Sequence, residues 1–369
     1  MRRHRFHAEL AISLACVLGV LSPRLSLGTQ REFPSGADLL NHAQSALAAL
    51  PSHYALSLHT RHDGGPFHAW QRFVAVSSFA EYVSVSGDNR FFSFSQSLLA
   101  DRRGLDGNDD SLWVAEADLD MAPLKKEEAD RKRTVQDAET IFKQLAAQYW
   151  DTTCGGGIWW DHARTYKNAI TNELFLDVAA RLYILTGEPS YKSWAERSWN
   201  WFAASGMISP SYAINDGLDK TCHNNAGPPY SYNQGVILDA LLSLATVTGN
   251  KTLQDEAIHI ADETITARAP QGNGFTEPQI AMTVDSQIFR GIFVRAFGHL
   301  VQSLPPGQTR AHFSSWLQDE CQTVWNHRFQ NSRFNATWEK SPHLPSAQAQ
   351  ITAANLFIAA ANILDNAAP

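Results

Sequence analysis

VSVSGDNRFFSFSQSLL (83–99) is one copy of a local plan that returns at YILTGEPSYKSWAERSW (183–199) and ATVTGNKTLQDEAIHIA (245–261). Each copy reads as a helix-like run, a Ser or Thr, a glycine, an acidic or amide residue, and a second helix-like run. Glycine supplies the left-handed residue that closes the first helix, and the polar residue after it caps the second. The unit expected at Gly87, Gly187 and Gly249 is therefore a tight antiparallel helix pair.

Apolar residues recur at helical spacing on both sides of these turns, as in Leu174, Val178, Leu182 and Leu185, or Leu238, Leu241, Leu242 and Ala245. Strand-like alternation is scarce. Periodic segments lie near 35–50, 68–84, 90–102, 110–122, 134–150, 169–186, 189–204, 231–248, 251–268, 285–303, 309–327 and 345–364. About twelve helices in repeating pairs suggest an all-α fold, a closed double ring or (α/α)6 toroid, with an open superhelix of pairs as the rival. The glycine turns are short, so the longer loops at 101–109, 151–168, 205–231 and 269–284 should share the opposite rim. Ligands collect in such loops when a rigid scaffold carries them.

The basic start MRRHRFHAE and the apolar run LAISLACVLGVL (10–21), followed by Pro23 and Ser26-Leu27-Gly28, read as a signal peptide over 1–28. The apolar run is too short to span a bilayer, which needs ~20 residues. Secretion, one domain over 29–369 and no membrane contact after cleavage are expected. The final stretch NLFIAAANILDNAAP reads as a last helix. The formal charge of −7 becomes more negative once Arg2, Arg3, Arg5 and Arg24 leave with a single acid, Glu9. An acidic body argues against a nucleic-acid partner. Three cysteines remain, Cys154, Cys222 and Cys321, so at most one disulfide forms within the chain and its pairing is open. Asn250 and Asn335 open glycosylation sequons. Nothing in the chain calls for a second subunit, and a monomer is expected.

LDGNDDSLWVAEADLD (105–120) runs from a glycine-containing loop into a helix with Asp109 and Asp110 at its entrance. Acids are favoured in a first helical turn in any case. A second use is glycoside cleavage, which needs one carboxyl to donate a proton and one carboxylate to attack or to activate water. Neighbouring residues suit the ~5–5.5 Å carboxyl separation of retaining enzymes better than the wider inverting one. Trp113, Trp159 and Trp160 are candidate stacking platforms for a pyranose, and the glycines of Cys154-Gly-Gly-Gly-Ile-Trp159-Trp160 allow close approach of backbone to ligand. Tyr232 is a further platform, and Asn172, Asn233 and Gln234 offer uncharged donors and acceptors for hydroxyls; Asn168 is a helix cap that could also bind them. Asp285 is a helix cap by default and a sugar-binding acid on the sharper reading. No Walker loop, dinucleotide fingerprint, Gly-x-Ser-x-Gly elbow or His-Glu-x-x-His pair occurs, so no metal and no cofactor is expected.

The ordered set NDDSLW, CGGGIWW, YKNAITNELFLDVAARLY, YSYNQGVILDALLSL and DSQIFRGIFVRAF resembles glycoside hydrolase family 76, the endo-α-1,6-mannanases and related fungal cell-wall proteins. The resemblance runs from about Trp70 to Leu364. It implies an (α/α)6 barrel and retaining hydrolysis of α-1,6-mannosidic bonds in α-mannan, with Asp109 as nucleophile and Asp110 as acid/base. Asn108 stands where the family often has an aromatic residue, and Val114 where a second aromatic often follows Trp113; both differences concern subsites. A transglycosidase acting on mannose-containing glycans and a non-catalytic mannan-binding toroid are the alternatives.

Overall fold

The computed structural model describes residues 33–53, 67–269, 274–278, 283–338 and 345–365. The expected signal peptide lies outside them. From Pro34 onward the chain packs as one compact unit. Its helices are α1 (Gly36–His53), α2 (Ala69–Ser86), α3 (Phe92–Ala100), α4 (Asn108–Met121), α5 (Glu128–Tyr149) and α6 (Ala169–Thr186). They continue as α7 (Pro189–Ala204), α8 (Ser231–Thr248), α9 (Thr252–Arg268), α10 (Ser286–Ser303), α11 (Gln308–Asn326) and α12 (Ala347–Asp365).

The even-numbered helices form the inner ring. Each packs on the next, and α12 returns to α2, so the ring is closed and the open superhelix is excluded. The odd-numbered helices lie outside, each against inner helices. Position in the ring explains the sequence: α6 buries nearly every residue from Ala169 to Ala180, whereas α5 buries only Thr134, Ala138, Phe142 and Leu145. A helix wedged between neighbours on all sides is apolar all round, and an outer helix needs only one apolar stripe. Burying each large apolar side chain contributes about 1.5–3 kcal/mol. Leu185 departs from the periodic expectation and is exposed, because it sits in the last turn of α6 where the ring ends. Helix α12 is long and apolar enough to cross a membrane, but its Ala347–Leu364 window is 89% buried as an inner-ring stave.

The three glycine turns are built alike. Gly87, Gly187 and Gly249 have φ of 69°, 70° and 73°, and their N–H groups donate to Val83, Tyr183 and Ala245 at 3.0, 2.8 and 2.8 Å. Asp88, Glu188 and Asn250 then accept from the backbone two residues on, as capping requires. These turns gather the C-terminal ends of α2, α6 and α8 on one face of the ring. All six inner helices consequently start at the other face, and their first turns converge there.

At the short-turn end the barrel axis is filled by ions. Asp120 bridges Arg181 and Arg295 at 2.7 and 2.9 Å, and His299 lies between Glu81 and Asp239 at 3.2 and 2.8 Å. Those two carboxylates raise the His299 imidazole to about 10 against the opposing effect of burial. Cys154 pairs with Cys222, and Cys321 is a buried free thiol. Asn250 is exposed, whereas Asn335 is buried with its Oδ1 accepting from Thr337 and Trp338. The folded chain thus presents only the first of the two sequons to a glycan.

Candidate active site

The converging helix starts enclose a cavity of about 780 Å³. Its wall takes Trp70 from α2, Asp109, Asp110 and Trp113 from α4, Tyr232 from α8 and Phe289 from α10; the rim takes Trp160, His162, Tyr166 and Asp216 from the loops between. Asp285, just ahead of α10, completes the far side. The aromatics form one continuous surface. Trp70 stacks on Trp113 at 5.8 Å between ring centroids, and Tyr232 lies flat on Phe289 at 4.0 Å with Tyr230 edge-on at 5.4 Å. Such a surface fits the apolar faces of pyranose rings while the acids among it take the hydroxyls.

The Asp109–Asp110 pair is held by the rim. The buried Asn108 donates its backbone N–H to Trp160 O at 2.8 Å and its side-chain amide to Trp159 O at 2.7 Å, which staples loop 159–160 to the start of α4. Trp160 N–H donates to Tyr166 O at 2.7 Å, and the Tyr166 hydroxyl donates to Asp216 at 2.8 Å. Burial pushes the Asp109 carboxyl up to about 8; the neighbouring Asp110 adds to the rise, while backbone N–H groups of the first turn and the Trp160 indole N–H oppose it. Asp110 is raised as well, chiefly by burial, against backbone N–H donation from Asp106 and Gly107 and with the carboxylates of Asp106 and Asp285 reinforcing the rise. Two carboxyls this close cannot both ionise readily, so the pair keeps one proton near neutrality. In this geometry the proton belongs on Asp109, because Asp106 N–H donates to Asp110 at 3.0 Å whereas Asp109 Oδ1 has no partner within the protein.

Seven residues singled out in the sequence meet here: Asp109, Asp110, Trp113, Trp160, Asn168, Tyr232 and Asp285. Asp285 makes no helix-capping bond. Its Oδ1 instead receives the Trp70 indole at 3.1 Å and the Gln71 amide at 3.0 Å, with His68 Nδ1 at 2.8 Å. Four others lie outside the cavity wall. The Trp159 indole donates to Asp151 at 2.7 Å and its ring lies under the Lys167 ammonium at 4.7 Å. Asn172 is clamped to the backbone of Ile158, at 2.7 Å to N and 3.0 Å to O, and Gln234 holds Ile214 in the same way at 2.9 and 2.7 Å. Asn233 is fully buried beside Asp216, whose charge it helps to hold. A buried amide that satisfies a loop's backbone looks, in sequence, like one aimed at a sugar. The glycine run is corrected likewise: a β-carbon on Gly156 would come within 2.8 Å of Trp201, so the close approach is to that ring and not to a ligand. Asn168 does line the cavity, with its Oδ1 accepting the capping N–H of Thr171 at 3.4 Å.

The sequence reading missed Trp70, Phe289, Tyr166 and Asp216. Trp70 and Phe289 occupy the opening turns of inner helices, the positions that face the cavity once the ring direction is known. Asp216, followed by Gly217, has the composition of an ordinary turn and carries no signal of its own. Among the described residues no cluster of His, Cys, Asp and Glu forms a metal site.

The family model of glycosyl hydrolase family 76 matches residues 63–369. The chain belongs to that family. Mannan endo-1,6-alpha-mannosidase DCW1 of Candida albicans is 26% identical over 287 residues, which cover 69% of this chain and 62% of the relative. The protein of the same name from Saccharomyces cerevisiae is 26% identical over 249 residues, 62% of this chain and 52% of its own length. The chain therefore spans between half and two thirds of these curated relatives. Among solved structures, the family 76 α-1,6-mannanase of Salegentibacter sp. HEL1_6 superposes with a TM-score of 0.78 at 20% identity, covering 88% of this chain and all of that one. An inactive variant of it, with two consecutive aspartates changed to asparagine, is known in complex with α-1,6-mannotriose and has a TM-score of 0.77. The (α/α)6 architecture is common to the family and this chain.

Proposed function

We propose that this chain is an exported retaining glycoside hydrolase that cleaves α-1,6-mannosidic bonds in mannan. The observation that carries the reading is the meeting of Asp109 and Asp110, a proton-sharing carboxyl pair, with an aromatic wall in one cavity. Support comes from membership of a glycosidase family and from relatives named for endo-1,6-α-mannosidase action. The inactive Salegentibacter variant, altered at two consecutive aspartates and holding α-1,6-mannotriose, supports the same pair and the same linkage. The Cys154–Cys222 disulfide fits an oxidising, extracytoplasmic destination.

In the proposed reaction a mannose unit rests on the aromatic wall with its anomeric carbon at the pair. Asp109 attacks that carbon as the bond to the leaving O6 breaks, and Asp110 gives O6 its proton. The glycosyl ester on Asp109 is then released by water, whose proton returns to Asp110. This division of roles follows the family resemblance. The first turns of the surrounding helices, with their outward N–H groups, stabilise the negative charge that the pair carries through both steps.

Incubation with linear α-1,6-mannan and with a short α-1,6-manno-oligosaccharide, followed by sizing of the products, tests the proposal. Hydrolysis gives shorter chains from both. Longer products from the oligosaccharide would establish a transglycosidase, and binding without turnover a non-catalytic mannan receptor; either would replace the hydrolase reading.

A further inference from the structure

Trp160 has a position that sugar stacking alone does not account for. The residue is 41% exposed at the cavity rim although its backbone is fixed at both N–H and C=O. The edge of its ring points inward. Trp160 Nε1 lies 3.5 Å from the point over Gly107 where a β-carbon would stand, and Asp109 Oδ1 crowds that same point. One flat side chain therefore offers a face to whatever enters the cavity and an N–H to Asp109. Asp110 has a different supply: it is served by the backbone N–H of Asp106.

This asymmetry bears on a specific difficulty. The retaining reaction needs Asp109 ionised and the proton on Asp110, whereas burial and the partnerless Oδ1 favour the proton on Asp109. An indole N–H can donate but cannot accept, so a hydrogen bond from it stabilises only the ionised carboxylate. Catalytic hydrogen bonds are often long before substrate arrives and tighten in the complex.

We propose that Trp160 is a positioning residue that sets which member of the pair carries the shared proton. A sugar ring stacked on the exposed face presses the indole edge onto Asp109 and excludes water from it. The N–H closes on Oδ1, and the proton passes from the Asp109 carboxyl to the Asp110 carboxylate, leaving the total charge of the pair unchanged. Substrate binding thereby arms the nucleophile and the acid together. The groups facing this event are Asp110, on which the carboxylates of Asp106 and Asp285 act, Tyr232, whose hydroxyl lies within electrostatic reach of Asp109, and the imidazoles of His162 on the rim and His68 against Asp285. No cation is among the groups that act most on Asp109, and the Trp160 indole N–H is the side-chain donor among them, beside backbone N–H groups of the first turn. The proposal rests on the hydrolase reading for its catalytic consequence, but the indole–carboxylate link can be tested without turnover.

Two measurements test it. In protein labelled with ¹⁵N-tryptophan, the Trp160 indole N–H resonance, assigned by its loss in Trp160→Phe, should titrate with pH as Asp109 does. It should lose that titration in Asp109→Asn and move downfield when α-1,6-mannotriose is added. In turnover assays, Trp160→Phe keeps an aromatic face without the N–H; kcat should fall about 10- to 100-fold with KM nearly unchanged, and the acid limb of the pH profile should move to higher pH. An indole resonance indifferent to pH and to Asp109→Asn would overturn the link even in an inactive protein. Trp160→Phe with wild-type kcat and an unmoved acid limb would leave Trp160 a stacking platform and overturn the proposal. If the wild-type protein does not cut mannan but the indole titrates as described, the hydrolase reading fails while the link stands.

Discussion

The carboxyl of Asp109 lies against the Cα of Gly107, with its Oδ1 in the volume that a β-carbon on residue 107 would occupy. Gly107 has φ −99° and ψ 165°, ordinary extended backbone that alanine also adopts. The reason for glycine here is space at the carboxyl, not backbone freedom. Gly107→Ala should therefore leave the melting temperature within a few degrees while displacing Asp109, and kcat should fall about 100-fold, as misplacements near 1 Å do. Circular dichroism with initial rates on α-1,6-mannan checks this, and wild-type kcat would show that Asp109 does not need its present position.

Trp159 and Trp160 are adjacent in sequence and opposite in environment. Trp159 spends its indole N–H on Asp151 and its ring on Lys167, away from the cavity. Trp159→Phe should lower thermal stability by about 1–2 kcal/mol through the lost hydrogen bond to a charged group, without raising KM for manno-oligosaccharides more than about twofold. A large KM effect would return Trp159 to the sugar-binding surface where the sequence reading put it.

The fold was legible because its signals are local and repeated. Gly87, Gly187 and Gly249 announce the same helix closure three times, and all twelve periodic segments are helices in the structure. Closure of the ring was not legible, since the contact of α12 with α2 joins the two ends of the described chain and leaves no mark on either helix's period. In the site, Asp109, Asp110 and Trp113 could be read because an acidic pair followed by an aromatic one turn on is uncommon at a helix start. Asn172 and Gln234 could not be separated from sugar ligands, because an amide that satisfies a buried loop has the same composition as one that binds hydroxyls, and nothing in the sequence marks the burial of Asn233 beside Asp216. The cysteine pairing was open for a related reason: three residues allow three pairings, and only the apposition of loops 150–158 and 205–230 selects Cys154 with Cys222.

That disulfide joins the loop carrying Trp160 and Tyr166 to the loop carrying Asp216. The sequence separation of 68 residues closes a long loop in the unfolded chain. Chain-entropy reasoning gives about 4 kcal/mol for a loop of that size, within a usual range of ~2–5 kcal/mol. Replacing both cysteines by serine should lower the melting temperature by several degrees and raise KM, since the rim is loosened more than the pair on α4. Calorimetry and steady-state kinetics check both effects, and an unchanged KM would mean that the rim keeps its shape without the link.

Thermal stability should peak in mildly acid solution. Glu81 and Asp101 are lowered to about 2, so their contribution is present above the ordinary carboxylate range and is lost as pH falls through it toward 2. Asp118 and Glu320, raised to about 7 by burial, and Asp109, raised to about 8, act with the opposite sign: their folded forms hold protons that the unfolded chain releases near pH 4. Stability from them is lost as pH rises from about 4 to 8. His299, raised to about 10, adds a loss as pH climbs from its unfolded value of 6.5. Melting curves across pH 3 to 9 should show a maximum near pH ~5 and a steady decline above it. A maximum at pH 8 would contradict the assignment of protonated buried acids.

The central claim is that Asp109 and Asp110 together break the mannosidic bond. The most direct test is the initial rate of α-1,6-mannan cleavage by Asp109→Asn and by Asp110→Asn, each verified as folded by its melting temperature. Asparagine matches aspartate in shape and is neutral, so at pH 7 both variants should melt at or above the wild-type temperature. Each should cleave mannan at least about 1,000-fold more slowly. Folded variants that cleave mannan at the wild-type rate would contradict the account.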